Sequence, residues 1–102
     1  MSPELSLATH AAREAGALLR TRFETSLDVN ELSAHDIKLA LDVESQQRIE
    51  SILLDTFPDH AIYGEEGLAG DQSSDSQWIV DPIDGTMNYF YGIPHFCVSI
   101  AM

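Results

Sequence analysis

Residues 78–88 read W-I-V-D-P-I-D-G-T-M-N, so that Asp81 and Asp84 stand three apart with Pro82 and Gly85 beside them. A second acidic pair, Glu65-Glu66, follows Tyr63-Gly64, and Asp42 lies upstream where an apolar-periodic segment begins. Carboxylates gathered at one place repel one another unless protons or cations intervene. Oxygen donors with no imidazole or thiolate at ligand spacing suit Mg2+, Mn2+ or Ca2+ rather than zinc. Pro82 fixes one backbone angle, and Gly85 permits a conformation or close approach that a side chain would block. Together they can turn Asp81 and Asp84 towards one point. If residues 85–88 open a helical turn, its free N–H groups form an anion site of phosphate size.

The charge distribution asks for such an arrangement. The chain carries 17 acids and 5 bases, a formal charge of -12, and no Lys or Arg occurs from Ile49 to Met102. The bases are Arg13, Arg20, Arg22, Lys38 and Arg48. An anionic ligand in the second half would bind through cations and backbone N–H groups. The balance disfavours direct binding to nucleic acid or to an anionic membrane surface. Taken singly, each acidic feature has a plain structural explanation. A D-x-x-D-G segment is an ordinary turn, Asp42 reads as a helix cap, and Glu65-Glu66 as a solvated face. Asp71 and Asp75 sit in D-Q-S-S-D-S-Q, which has loop composition. His60 and His95 read as surface loop residues. Trp78, Tyr89, Phe90, Tyr91 and Phe96 read as core. It is the combination of acids that points to a metal.

The elements that must position these groups follow from periodicity. Ser2-Pro3-Glu4 combines a cap, a proline at the first helical position and an acid in the first turn. Leu5, Ala8, Ala12, Ala15, Leu19 and Phe23 then keep helical spacing, which predicts a helix over 3–24. Residues 27–34 are irregular or a short strand. Ile37, Leu39, Leu41 and Val43 alternate as in a strand, whereas Ile49, Ile52, Leu53 and Phe57 are helical, so a helix is expected from Lys38 or Asp42 to Thr56. Phe57-Pro58-Asp59 stops it. Strands are expected at 61–63, at 78–80 ending at Asp81, and at 96–102. The last of these ends uncapped, as an exposed edge.

At 102 residues the chain is one domain or part of one, and its 44% hydrophobic content suits a globular fold. No apolar run reaches the roughly 18 residues of a membrane helix, and no signal-peptide pattern opens the chain. The single cysteine, Cys97, reads as a buried structural thiol, in keeping with a reducing cytoplasmic setting.

W-I-V-D-P-I-D-G-T-M-N-Y closely resembles the signature W-[IV]-[IV]-D-P-[IL]-D-G-T-x-N-[FY] of the inositol monophosphatase family. Tyr63-Gly64-Glu65-Glu66-Gly67 resembles that family's G-E-E segment, and Asp42 lies 23 positions before Glu65, the interval expected there. The resemblance runs from about Leu5 to Met102. It implies an α+β fold of the layered α/β sugar-phosphatase type, with two N-terminal helices packed on an antiparallel sheet. It also implies Mg2+-dependent hydrolysis of a small phosphate monoester, with two or three ions in the intact enzyme. Glu65, Asp81, Asp84 and the Ile83 carbonyl would hold the metals. Glu65, Ile83, Asp84 and the N–H groups of Gly85 and Thr86 would meet the substrate. Asp42, Thr86 and Glu65 would form the catalytic group, with Thr86 paired to Asp42 and orienting the attacking water. Glu66 would be a nearby support.

Leu39 stands where many relatives carry threonine. Such enzymes are much longer and supply a W-D-x-x-A-[AG] motif and most substrate contacts from a second half. The chain therefore resembles the N-terminal part of such a domain, cut within its central sheet, with a homodimer or a C-terminal half as the expected partner. Two alternatives remain. One is a haloacid-dehalogenase-type phosphatase with an aspartyl-phosphate intermediate, although D-x-x-D-G-T is one residue longer than its motif. The other is a non-catalytic cation-binding or assembly fragment. The spacing of an EF-hand is absent.

Overall fold

A computed structural model describes residues 2–23, 29–32, 37–93 and 96–102. The chain runs α1 (Pro3–Arg22), β1 (Val29–Leu32), β2 (Ile37–Leu39), α2 (Ala40–Thr56), β3 (Ala61–Gly64), β4 (Gly67–Gly70), β5 (Gln77–Asp84), α3 (Thr86–Phe90) and β6 (Cys97–Ala101). α1 starts as its sequence dictates. Ser2 Oγ accepts the Leu5 N–H at 3.1 Å, Pro3 occupies the first turn, and Arg20 and Arg22 sit in the last, where they complement the helix dipole. Its buried face is Ala11, Ala15 and Leu19, spaced by four. Residue 24, the expected last residue of this helix, lies outside the described residues, as does His95.

Both signals at 37–43 are expressed in turn. Ile37–Leu39 forms a strand that pairs antiparallel with β1, and the chain then passes directly into α2. Five residues of α2's inner stripe are Asp42, Ser45, Gln46, Ile49 and Leu53. The last two are apolar and join Ala11, Ala15, Ile62, Trp78 and Val80 in the main core between the helices and the sheet. A second cluster, Leu19, Leu39, Leu41, Ile83 and Tyr89, lies under the acidic end of β5. There the Tyr89 hydroxyl donates to the Leu19 carbonyl at 2.6 Å.

The main sheet has the order β4-β3-β5-β6. The expected sheet was antiparallel; the observed one is mixed, because β3 and β5 run parallel while β4 and β6 pair antiparallel on either side. A hairpin places β4 outside β3, and the 71–76 segment carries the chain back across so that β5 starts at the same end as β3. On the side away from the helices, Leu68, Tyr63 and Ile79 pair in register across three strands and are 61%, 57% and 57% exposed, with Ala101 next in the row. Two aromatic expectations differ. Tyr91 is exposed, and His60 is half-buried, stacked on Phe57 at 4.5 Å and accepting the Trp78 indole N–H at Nδ1 over 3.2 Å.

Candidate metal and phosphate site

Parallel pairing of β3 with β5 sets the site. Gly64 stands opposite Val80, and the Glu65 N–H donates to the Val80 carbonyl at 3.1 Å. The residues that follow, Glu65 and Asp81, are therefore delivered at the same end of adjacent strands, where loops of such sheets gather ligands. β5 does not stop at Asp81, as the turn-like composition suggested, but continues through Pro82 and Ile83 to Asp84. Asp81 pairs with Ser99 and Asp84 with Cys97, so β5 holds one residue more than β6 in this interval. A bulge of this kind absorbs a proline, which has no N–H to give, and re-aims the side chains beyond it. Asp84 is exposed and Asp81 half-buried. Gly85 follows with φ 92°, a left-handed conformation that favours glycine, and opens α3 with Thr86 as its first residue.

Asp42 is buried, 3% exposed, and both of its oxygens are engaged. Oδ2 accepts the Leu39 N–H at 2.8 Å, tying the start of α2. Oδ1 accepts the Thr86 hydroxyl at 3.1 Å, across 44 residues of chain. The same hydroxyl lies 3.1 Å from the Ile83 carbonyl. The expected pairing of Asp42 with Thr86 is thus present.

Two residues that the sequence reading passed over complete the frame. Ser45 Oγ donates to the Pro82 carbonyl at 3.1 Å and fastens α2 to the bulge. Gln46, buried, accepts the Glu66 N–H at 2.9 Å and donates to the Gly67 carbonyl at 3.1 Å and to Glu50 Oε2 at 2.7 Å. It holds the β3–β4 turn that presents Glu65. A Cβ at Gly64 would collide with this Gln46 amide, so Gly64 is needed for close approach rather than for its dihedral angles. The available signal was polar residues in an apolar stripe: Asp42, Ser45 and Gln46 share helical spacing with Ile49 and Leu53.

The acids of this site act on one another. Burial, and then the charges of Glu65, Asp84 and Glu66, hold the Asp81 carboxyl above its ordinary value, against the opposing hydrogen bond from the Ile83 backbone. Partial burial and then Asp84 and Asp81 likewise raise the Cys97 thiol, whose sulfur lies 3.7 Å from Asp84 Oδ2. Cys97 is exposed rather than buried, because the alternation of β6 turns Val98 and Ile100 towards the helices and Cys97 away. Among the described residues no three acidic, imidazole or thiol groups stand as close together as metal ligands do. The donor chemistry nevertheless fits a hard divalent cation. Glu65, Asp84 and Glu66 all act on the Asp81 carboxyl where β3 and β5 end side by side, and the sequence from 49 to 102 holds no Lys or Arg.

A model of the Inositol monophosphatase family matches residues 1–102. The chain is 42% identical to Nus factor SuhB of Pseudomonas aeruginosa, over 99% of this chain and 39% of that protein. It is 36% identical to the fructose-1,6-bisphosphatase/inositol-1-monophosphatase of Aquifex aeolicus, over 96% of this chain and 38% of that one. Among solved structures, the extragenic suppressor protein suhB from Bartonella henselae superposes with a TM-score of 0.88 at 32% identity, covering 98% of this chain and 40% of that one. The chain thus spans about two fifths of the length of the curated relatives it matches.

Proposed function

The chain belongs to the inositol monophosphatase family, and from that premise we propose that its described residues hold Mg2+ and the phosphate of a small phosphomonoester undergoing hydrolysis by water. The observation that carries this reading is the Thr86–Asp42 hydrogen bond, set beside an Asp81 carboxyl on which burial and three neighbouring acids act together. Glu65, Asp81, Asp84 and the Ile83 carbonyl would hold the metal. Bound there, Mg2+ supplies a lowered water pKa and positive charge at the phosphate oxygens. The chain's own part is positioning. Thr86 donates its single hydroxyl proton to Asp42 or to Ile83, which leaves its oxygen free to accept a hydrogen bond from water. A proton taken from that water is balanced by passing the hydroxyl's own proton to the Asp42 carboxylate. Asp42 keeps that hydroxyl in place and is itself fixed by the start of α2. The Gly85 and Thr86 N–H groups, at the opening of α3, are the donors offered to a phosphate. An inositol phosphate or a related sugar phosphate fits the names of the relatives.

The test is Mg2+ binding by calorimetry together with phosphate release from inositol monophosphate, with and without Mg2+, using the chain and its Asp42→Asn variant. Binding of Mg2+ by both, and loss of whatever release the chain supports in the variant, is the expected result. A chain that binds no divalent cation at millimolar concentration would refute the assignment. A second reading follows from relatives named Nus factor SuhB: the fold serves as a factor rather than as a catalyst. On that reading, Asp42→Asn leaves the biological role intact.

A further inference from the structure

The outward face of α1 has a charge opposite to that of the molecule. Arg13 and Arg20 are exposed on it, with Ala17 beside them, while Glu4 and Glu14 lie round towards the helix's inner side and are half-buried. No acid stands three or four positions from Arg13, and among the described residues none does from Arg20. Neither arginine has an ion pair among the described residues, where the pair that forms is Arg22 with Glu44 at 3.3 Å. This happens in a chain of charge -12.

Between the two arginines the face is cut away. Thr9, Ala12, Arg13, Gly16 and Arg20 line a groove of about 670 Å³ along the helix. Gly16 forms its floor, and a Cβ there would meet nothing within 4 Å. Glycine in a helix interior costs about 0.5–1 kcal/mol relative to alanine. The fold has no internal use for it: Gly16 is not among the positive-φ glycines, and no neighbour crowds it. Space that the fold leaves empty is available to a backbone approaching from outside.

We propose that this face docks an acidic helix of a protein partner, with two carboxylates seven residues apart meeting Arg13 and Arg20 and a backbone passing over Ala12 and Gly16. Seven residues are close to two turns, so the guanidiniums share one face about 10.5 Å apart along the axis. A second helix repeats that spacing at the same interval, whichever way it runs. Phosphate backbones are a poorer match. Their affinity grows with the number of cations engaged, and this face offers two, flanked by Glu14 on a strongly acidic molecule. The proposal does not depend on the phosphatase reading.

The test measures fluorescence polarisation of a labelled helical peptide, alanine-based with glutamates seven residues apart, against the 102-residue chain. Arg13→Glu with Arg20→Glu should weaken binding about tenfold or more, as should Gly16→Leu, and added salt should weaken the unaltered chain. Far-UV circular dichroism should keep its native form in both variants, with melting unchanged by the arginine changes and the same or higher in Gly16→Leu. Were Gly16→Leu to misfold, Arg13→Gln with Arg20→Gln supplies the same comparison. Equal binding of a peptide with lysines at the two positions would overturn the proposal, and so would variants without effect. Preferential binding of single-stranded RNA would assign the face to nucleic acid instead. Self-association abolished by the arginine variants would make a second copy the occupant and equally reject an acidic partner.

Discussion

Asp81 and Thr86 sit five positions apart, and the proposed function gives them separable roles. Asp81 lies where burial and three neighbouring acids all disfavour its charge, the environment that a divalent cation relieves. Asp81→Asn nearly keeps the shape and removes the charge, so Mg2+ or Mn2+ affinity should fall at least tenfold, read by calorimetry. An unchanged affinity would remove Asp81 from the metal site. Thr86 instead bonds Asp42 and the Ile83 carbonyl. Thr86→Ala should leave cation affinity within about twofold while lowering phosphate release by about 10²–10⁴, the range of a positioned proton-transfer group, here a hydroxyl relaying to Asp42. Thr86→Ser should recover most of it. Loss of metal binding in Thr86→Ala would show that the two functions are not separable. The types and spacing of these residues were legible in the sequence, since an acid set without bases is a pattern of composition. Their partners were not, because a hydrogen bond spanning 44 residues depends on how α2 meets β5.

At the scale of elements, α2 is the organiser. Its inner stripe changes character along its length: Asp42 reaches α3, Ser45 grips the β5 bulge, Gln46 holds the β3–β4 turn, and Ile49 and Leu53 enter the core. The polar part of this stripe was readable as periodicity, yet Asp42 read as a helix cap and Ser45 and Gln46 drew no reading. The parallel β3–β5 pair was invisible, because strand direction in a sheet is decided by crossovers rather than by local pattern. Continuation of β5 through D-P-I-D was hidden by its proline, which reads as a strand end unless a bulge receives it. Gly64 and Gln46 supply a test of the frame. Gly64→Ala pushes a methyl group into an amide that three hydrogen bonds hold, and should cost about 1–3 kcal/mol by chemical denaturation. Gln46→Ala should cost a similar amount by leaving the Glu66 N–H and Gly67 carbonyl unpaired. The double variant should lose clearly less than the sum, because removing the amide makes room for the methyl. Simple additivity would mean that the two residues do not meet.

For the whole molecule, one side of the sheet is covered by helices and the other carries the Leu68–Tyr63–Ile79 row in the open. Contiguous apolar surface on a sheet, next to an edge strand such as β6, favours association of the 102-residue chain. Sedimentation of the 102-residue chain should show concentration-dependent association, and Ile79→Lys should reduce it with a stability change within about 0.5 kcal/mol. A chain that stays monomeric at high concentration would show that the row does not self-associate. Trp78, the single tryptophan, lies on the opposite side, 1% exposed, with its indole N–H on His60. It belongs to the core under the helices, whereas the acidic end of β5 rests on the other cluster. Emission excited at the red edge, where the three tyrosines do not absorb, is therefore a one-residue signal from the helix–sheet seam. It reddens when the seam opens and stays silent when an ion or a phosphate arrives, so melting and ligation can be followed in one cuvette as independent events.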